Sequence, residues 1–396
     1  MDKIKICELV DSFYPCVDGV MHAVNNYCKG LNKRASCKLI APAAAKKDNY
    51  QDNFEYEVIR CTSMSAPENY RFGIPAIDGK LKKRLKNEQF DILHTHSPFS
   101  VGRYALKLAK KRNVPLVATL HTKYHEDFNR TLKGFKPLCW FMMKYIMHVY
   151  NKADSVWVVG DRVKEVLLSY GYKGDIQVVK NGTDFTYPEN AEQLIERIND
   201  LHDLEKVQNV FIFVGRIAKY KNIDLIAKSL KLLKDRGESF KILVVGGGFD
   251  LDEYRNTIQK LGLTDEFIFV GPVSDRELLQ AYYLRADLFL FPSIFDNGPL
   301  VCIESAAHKL PCLVIEDSCA AEGVVDGENG YLVKNDATEF ASKIQNIIAN
   351  KSQLKEVGEK AYKTLYRSWD TVCDEVLENY KKVIQNYKSK RENNAK

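Results

Sequence analysis

The sequence predicts an α/β protein built from two doubly wound domains, each a parallel sheet with helices on both faces. Three observations predict it. Short Val/Ile-rich runs alternate with helical patterns from one end to the other, as strand–helix–strand units do. The alternation runs twice, interrupted by a polar, helix-leaning stretch at 185–206 that has no strand signal. A chain of 396 residues, 45% hydrophobic and 28% charged, has material for two buried cores.

In the first half, strands are expected at 5–9, 38–41, 56–61, 91–94, 116–119, 155–159 and 177–179. In the second they are expected at 210–214, 241–245, 267–270, 288–291, 312–315 and 330–333. Helical spacing fills the gaps, for example at 22–31, 102–112, 222–235, 252–261 and 275–284. The junction is expected after Asn181-Gly-Thr-Asp184, giving domains 1–184 and 185–369. The last helical pattern spans 361–387 with a break at Ser368-Trp369-Asp370, and its 370–388 part is expected to pack back on the first domain. Residues 389–396 are charged and expected to be a disordered tail.

Met1-Asp-Lys-Ile-Lys-Ile enters a strand directly, so no signal peptide is expected. No apolar run reaches the roughly 18 residues of a membrane-spanning helix. The ten cysteines include no C-x2-C pair and read as reduced thiols, not as a zinc site or a disulfide framework. The net charge of +6 is uneven: residues 1–190 hold 30 Lys+Arg against 20 Asp+Glu, and residues 101–150 hold 10 against 2. The first half is therefore expected to face something anionic. No nucleic-acid motif accompanies that charge, so a nucleic-acid partner is not expected.

The most informative stretch is Phe291-Pro-Ser-Ile-Phe-Asp-Asn-Gly-Pro-Leu-Val-Cys-Ile-Glu304. A strand ends in a Pro/Ser/Asn/Gly loop, and a helix starts at Pro299, which suits a first helical turn. Such a junction holds anions on its free N–H groups. Asp296 and Glu304 bracket it, so a ligand with both phosphate and sugar hydroxyls fits. Earlier, Gly215-Arg216 closes a strand and Lys221-Asn222 opens a helix. The glycine admits a ligand to the backbone, and the two cations suit a diphosphate. Gly246-Gly247-Gly248 either cradles phosphate or permits close strand–helix packing.

In the first half, Asp18-Gly19-Val20 closes the loop after the first strand, at the ligand edge of a parallel sheet. His94, His96 and His121 stand at strand ends. Glu126 and Asp127 lie on a different element, so no metal is expected, and His121 reads as a hydrogen-bonding or acid–base residue toward a hydroxyl. In 130–152, Trp140, Phe141, Met143 and Met147 alternate with Lys133, Lys136 and Lys144. That pattern fits a helix at a bilayer interface and, equally, a core helix with a basic solvent face.

These motifs together, in this order, resemble those of the retaining, nucleotide-sugar-dependent glycosyltransferases of family 4, with two Rossmann-like domains facing across a cleft (the GT-B fold). The resemblance rests on Asp18-Gly19-Val20, Asp91–His96 as D-x-x-H-x-H, Thr119–His121 as T-x-H, Asn181-Gly-Thr-Asp184, Gly215-Arg216…Lys221-Asn222, and Asp296…Glu304 in the place of E-x7-E. It implies that Arg216 and Lys221 bind the donor diphosphate and that Glu304 takes the ribose hydroxyls. Asp296 would face the donor sugar, and Gly215, Asn297, Gly298, Pro299 and Leu300 would line the donor. His121 would sit near the reacting sugar, and Gly19 would admit the donor. It also implies a UDP-sugar as donor substrate, no bound cofactor and no metal.

One departure is Asp296 in place of glutamate: its carboxylate reaches one methylene less, on the order of 1.5 Å. The stretches around 291–296, 318–323 and 329–330 look most like the branch that glucosylates diacylglycerol. The expectation is a cytoplasmic enzyme, peripheral on the inner face of the cell membrane, that moves a hexose to a lipid hydroxyl. Lys133, Lys136, Trp140, Phe141 and Lys144 would contact acceptor or membrane. A polysaccharide- or polyprenyl-linked glycan builder of the same family, and a non-catalytic nucleotide-sugar-binding module, are the alternatives.

Overall fold

All thirteen expected strands form, and they pair as two separate parallel sheets. A computed structural model describes residues 3–16, 18–65 and 71–395. Val17, in the first glycine loop, and Lys396, in the tail, lie outside the described residues. The chain divides into two units: residues up to Asn181 together with those from Trp369 onward, and Gly182–Ser368.

The first unit carries β1 (Lys5–Leu9), β2 (Ser36–Pro42), β3 (Glu57–Cys61), a short ribbon of β4 (Ser63–Ser65) and β5 (Arg71–Gly73), then β6 (Ile92–Thr95), β7 (Leu116–Leu120), β8 (Ser155–Val158) and β9 (Ile176–Val178). Its seven-stranded sheet has the order β3-β2-β1-β6-β7-β8-β9, and β4 pairs antiparallel with β5. Its helices are α1 (Gly19–Arg34), α2 (Gly79–Arg84), α3 (Ser100–Arg112), α4 (Tyr124–Thr131), α5 (Lys136–Tyr150) and α6 (Asp161–Ser169). The second unit carries α7 (Ala191–His202), β10 (Val210–Val214), α8 (Ile223–Asp235), β11 (Lys241–Val245), α9 (Leu251–Lys260), β12 (Phe267–Gly271) and α10 (Arg276–Arg285). It continues with β13 (Leu288–Phe291), α11 (Leu300–Ala307), β14 (Cys312–Ile315), β15 (Tyr331–Val333), α12 (Ala337–Ile348) and α13 (Lys351–Thr364). Its sheet order is β12-β11-β10-β13-β14-β15. The chain returns to the first unit through α14 (Trp369–Ala395).

Both sheets reverse direction of growth at one place: between β1 and β6, and between β10 and β13. Loops leaving adjacent strands diverge there and open a crevice at the strand C-termini, the usual ligand position of open α/β sheets. In the first unit the crevice is tied by Asp11, just after β1. Its carboxylate accepts from Phe99 N at 3.0 Å, Val101 N at 2.9 Å and Ser100 Oγ at 3.0 Å. It thereby caps α3, whose own N-cap residue makes no side-chain cap bond.

β10 is apolar and buried at every position, as a strand covered on both faces must be. The glycine run after β11 is explained by packing. A Cβ on Gly246 would stand 2.0 Å from the Gly215 carbonyl oxygen, and one on Gly248 would stand 2.0 Å from that of Ile217. Gly246–Gly248 thus lets two backbones meet, and of its two readings the structure supports close packing.

Three boundaries differ from expectation. Gly182–Asp184 belongs with the second unit, because Thr183 N–H donates to Arg367 O at 2.8 Å and Asp184 pairs with Arg276. Residues 389–395 are not irregular: α14 runs through Ala395. Their charge signalled disorder, but a helix already nucleated upstream extends at low cost. Pro299 is the N-cap of α11, one position before its first turn, with an extended backbone (φ −65°, ψ 124°).

Candidate active site

The crevice of the second unit is built from two loops. After β10, Gly215 has φ +152°, a backbone that side chains avoid, and half-buried Arg216 follows. A 3-10 turn at Lys219–Lys221 then delivers Lys221, and Asn222 enters α8 in the left-handed region at φ 60°. Asn222 Nδ2 ties this turn across the crevice, donating to Pro292 O at 3.2 Å and Asn335 Oδ1 at 2.9 Å. The second loop runs from Phe291 to α11. It brings Asp296 to Lys221 as an ion pair, with the two side chains 22% and 14% exposed. Asp296 also accepts from Ser293 Oγ. The two acids expected to bracket the ligand therefore differ: Asp296 is neutralised by a lysine, whereas Glu304 faces a mixed set.

Glu304 is buried on α11. Its Oε2 accepts from Tyr283 Oη at 3.0 Å, and its Oε1 lies 3.4 Å from both terminal nitrogens of Arg276. Burial pushes the Glu304 carboxyl above the ordinary range, opposed by the Arg276 cation and the Tyr283 hydroxyl. Arg276 also pairs with Asp184 and lies over the Phe185 ring at 3.7 Å. Arg276 and Tyr283 were not singled out in the sequence. They stand on α10, 28 and 21 positions before Glu304, and only the fold brings their side chains to it. Between the two acids, both amide atoms of Asn297 are buried with no hydrogen-bond partner among the described residues. A buried primary amide left unsatisfied is costly, and at a helix N-terminus it marks a place prepared for a polar ligand. Gly298 follows at φ +52°, and Leu300 opens α11.

In the first unit the crevice holds a hydrogen-bonded row of buried polar groups. Glu8 on β1 lies beside His94 of β6, which it matches in register. His96 Nε2 is 2.8 Å from Glu8 Oε2, and His96 Nδ1 is 2.9 Å from His121 Nε2. Tyr380 Oη, on α14, donates to Glu8 Oε1 at 2.8 Å. His94 Nδ1 is 2.5 Å from Tyr380 Oη, and His94 Nε2 is 2.6 Å from Thr119 Oγ1. Burial pushes His96 down to about 3 and lowers His94 and His121 well below the usual histidine value, so all three rings are neutral. Burial pushes Glu8 up to about 8, with Tyr380 opposing. Among the described residues Glu8, His94 and His96 gather their ligand atoms within 4.8 Å. Tyr380 and Thr119 engage the two His94 nitrogens, and His121 and Glu8 engage those of His96, so the cluster is joined by hydrogen bonds throughout. Sequence reading missed Glu8 and Tyr380; a glutamate inside an apolar strand was the available signal for the first.

Gly19 is the first residue of α1, after its cap Asp18, and a Cβ there would meet nothing within 4 Å. Its space is open, not filled by packing. On α5, Cys139, Ile146, Met147, Val149 and Tyr150 face the core. Phe135, Trp140 and Phe141 are 61%, 61% and 58% exposed, and Leu138 is also exposed. Lys133, Lys136 and Lys144 are exposed beside them, with Lys144 Nζ 3.8 Å above the Trp140 ring. No described helix is long and apolar enough to cross a membrane.

Two family descriptions match the chain: "Glycosyl transferases group 1" over residues 195–364 and "Glycosyltransferase Family 4" over residues 17–187. It is 25% identical over 384 residues to the alpha-monoglucosyldiacylglycerol synthase of Acholeplasma laidlawii, covering 90% of this chain and 95% of that protein. A D-inositol 3-phosphate glycosyltransferase of Nocardiopsis dassonvillei is 26% identical over 326 residues, 78% of this chain and 74% of that protein. Among solved structures, the HepE protein of Anabaena in complex with UDP-glucose superimposes with a TM-score of 0.76 at 16% identity, covering 96% of this chain and 100% of that one. Sucrose-phosphate synthase of Thermosynechococcus elongatus gives 0.79 at 18% identity, with the same coverage.

Proposed function

We propose a reaction for a chain that belongs to the group 1, family 4 glycosyltransferases: transfer of a hexose from a UDP-sugar to a membrane lipid hydroxyl, with diacylglycerol as acceptor and glucose as the favoured sugar. It is a hexosyltransferase of the GT-B fold. The observation that carries the donor half is the crevice between β10 and β13, where the loop leading into α11 brings Asp296 to Lys221 and carries the unsatisfied Asn297 amide, with Glu304 on α11 itself.

Each residue has a chemical part. Arg216 and Lys221 neutralise the diphosphate as its bond to the sugar lengthens, and the N–H groups opening α11 take charge without reorganising. Glu304, steadied by Tyr283 and Arg276, accepts from the ribose hydroxyls. Asp296 holds Lys221 in place and offers its remaining lone pairs to the sugar. Asn297 gives the sugar one acceptor and one donor. In the first unit, His121 offers a ring nitrogen to a hydroxyl of the ligand that its own crevice takes. The nucleotide departs from the face that the acceptor attacks, so the anomeric configuration is retained.

The acceptor half rests on α5. Four exposed apolar side chains, Phe135, Leu138, Trp140 and Phe141, beside three lysines make a surface suited to an anionic bilayer, which supports a peripheral position on the inner face of the cell membrane. The name of the Acholeplasma relative agrees with a glycolipid product. The Nocardiopsis relative keeps a second reading open, a soluble hydroxyl acceptor. Incubation with UDP-glucose and diacylglycerol in anionic vesicles, read by mass spectrometry, is expected to yield a monohexosyl lipid. Absence of glycolipid across several UDP-hexoses, with transfer to a soluble acceptor instead, overturns the lipid reading.

A further inference from the structure

We propose that Glu8, through His96, sets which nitrogen of His121 carries the proton, so that a carboxyl with no solvent exposure decides whether His121 offers its ligand a donor or an acceptor. The role of His121 toward a ligand hydroxyl rests on the function proposed above; the relay itself rests on the hydrogen-bond geometry, and the burial of Glu8 sets its pH range.

The hydrogen bonds leave little freedom. Tyr380 has one proton and gives it to Glu8 Oε1, so its oxygen accepts from His94 Nδ1–H. His94 Nε2 then accepts from Thr119 Oγ1–H. That branch is fixed whatever Glu8 does. The other branch has two consistent states. With Glu8 ionised, His96 Nε2–H donates to Glu8 Oε2, His96 Nδ1 accepts from His121 Nε2–H, and His121 Nδ1 is left as a lone pair. With Glu8 protonated, Oε2–H donates to His96 Nε2, His96 Nδ1–H donates to His121 Nε2, and His121 Nδ1 carries a hydrogen. Passing from the second state to the first, the His121 Nδ1 proton leaves outward, the His96 Nδ1 proton moves to His121 Nε2, and the Glu8 proton moves to His96 Nε2. One proton is lost, and no ring ever becomes a cation. That matters because burial strongly disfavours an imidazolium at each of the three histidines. His121 Nδ1 is the one ring nitrogen of the row with no partner among the described residues.

The groups facing Glu8 are His94 of β6 and His96 just after it, Tyr380 and Cys373 from α14, Cys28 from α1, Cys37 from β2 and its neighbour Cys7. Tyr27 of α1 packs its ring on both His94 and His96. His121 faces His96. The thiols are pushed up by burial and stay protonated with Glu8 among the causes. Glu8 is therefore the group of this row that changes charge near neutral pH. Because Tyr380 lies on α14, the C-terminal helix contributes a positioning residue to the row.

The test uses the full chain labelled with ¹⁵N-histidine, with His121 assigned by its loss in His121→Asn. In the wild type, His121 is expected to pass from Nδ1–H below about pH 7 to Nε2–H above about pH 9. Glu8→Gln, whose amide donates to His96 Nε2 at every pH, is expected to hold His121 in the Nδ1–H form throughout. Tyr380→Phe, which removes a donor to the carboxylate, is expected to move the wild-type transition to higher pH. The kcat/KM profile is expected to break at the pH of the tautomer change and to lose that break in Glu8→Gln. An unchanged His121 tautomer across the pH range in wild type, or the same switch in Glu8→Gln, overturns the relay. Should Glu8→Gln not fold, an unmoved transition in Tyr380→Phe overturns it equally. A wild type that switches tautomer yet transfers no hexose leaves the relay standing and overturns the proposed function.

Discussion

Glu304→Gln separates recognition from stability more cleanly than any other change in the second unit. The substitution keeps the shape of the side chain and removes its charge. Glu304 is buried, with Tyr283 on one oxygen and Arg276 on the other. Glutamine can still accept from one of them but must turn an NH2 toward the other. The folded protein loses a charge-assisted contact to Arg276 and is relieved of a buried carboxylate. Those changes oppose each other and leave stability within about 1 kcal/mol. Donor binding has no such compensation. A hydrogen bond to a charged acceptor contributes about 1.5–3 kcal/mol and a neutral one about 0.5–1.5 kcal/mol, so the ribose contact weakens by about 1–2 kcal/mol. UDP affinity is then expected to fall roughly 5- to 30-fold. Isothermal titration with UDP measures it, and a thermal melt run alongside checks the fold. A Glu304→Gln protein that melts normally and binds UDP as tightly as wild type refutes the ribose assignment. Tyr283→Phe supplies the control, since it is expected to reduce the melting temperature as well as the affinity.

Three other outcomes follow from the structure. Gly248→Ala, whose Cβ would stand 2.0 Å from the Ile217 carbonyl oxygen, is expected to cost about 3 kcal/mol or more, read as an early melt of the second unit. Glu8 titrates about 8 folded against 4.5 unfolded, so the stability tied to its neutral form is complete below pH 4.5 and is lost as pH rises through 8. His96, lowered to about 3 from 6.5, works in the opposite sense below 6.5. Between pH 6.5 and 8 the Glu8 effect therefore acts without it, and wild type is expected to lose about 1.4 kcal/mol per pH unit relative to Glu8→Gln; parallel pH–stability curves for the two contradict this. Trp140→Ala with Phe141→Ala, both largely exposed, is expected to leave the melting temperature unchanged while reducing sedimentation with anionic vesicles; wild-type sedimentation contradicts the membrane face.

The fold was legible because each buried strand reads as an unbroken apolar run, and Val210–Val214 is the clearest case. The strand order was not stated by those runs, since any of them suits the middle of a sheet. The ribbon of Ser63–Ser65 and Arg71–Gly73 was missed because three-residue strands carry no periodicity. In the site, motif-bearing residues near one another in sequence, Lys221 and Asn222 or Asp296 and Asn297, were found. Their supports were not. Arg276 and Tyr283 meet Glu304 only through the fold, and Tyr380 reaches Glu8 from 372 positions away. Asp296 was noted as a short replacement for glutamate, and its place is taken up by an ion pair with Lys221 that no spacing rule announces.

The central claim is that basic side chains and helix-end amides in the second unit stabilise a departing nucleotide diphosphate. Steady-state turnover of Arg216→Ala and Lys221→Ala on UDP-glucose, at limiting and saturating donor, tests it most directly. Preorganised donors on a transition state contribute about 3–4 kcal/mol each, so each variant is expected to lose on the order of 10²–10³ in kcat while staying folded. Wild-type turnover by both variants in both donor regimes would contradict the account.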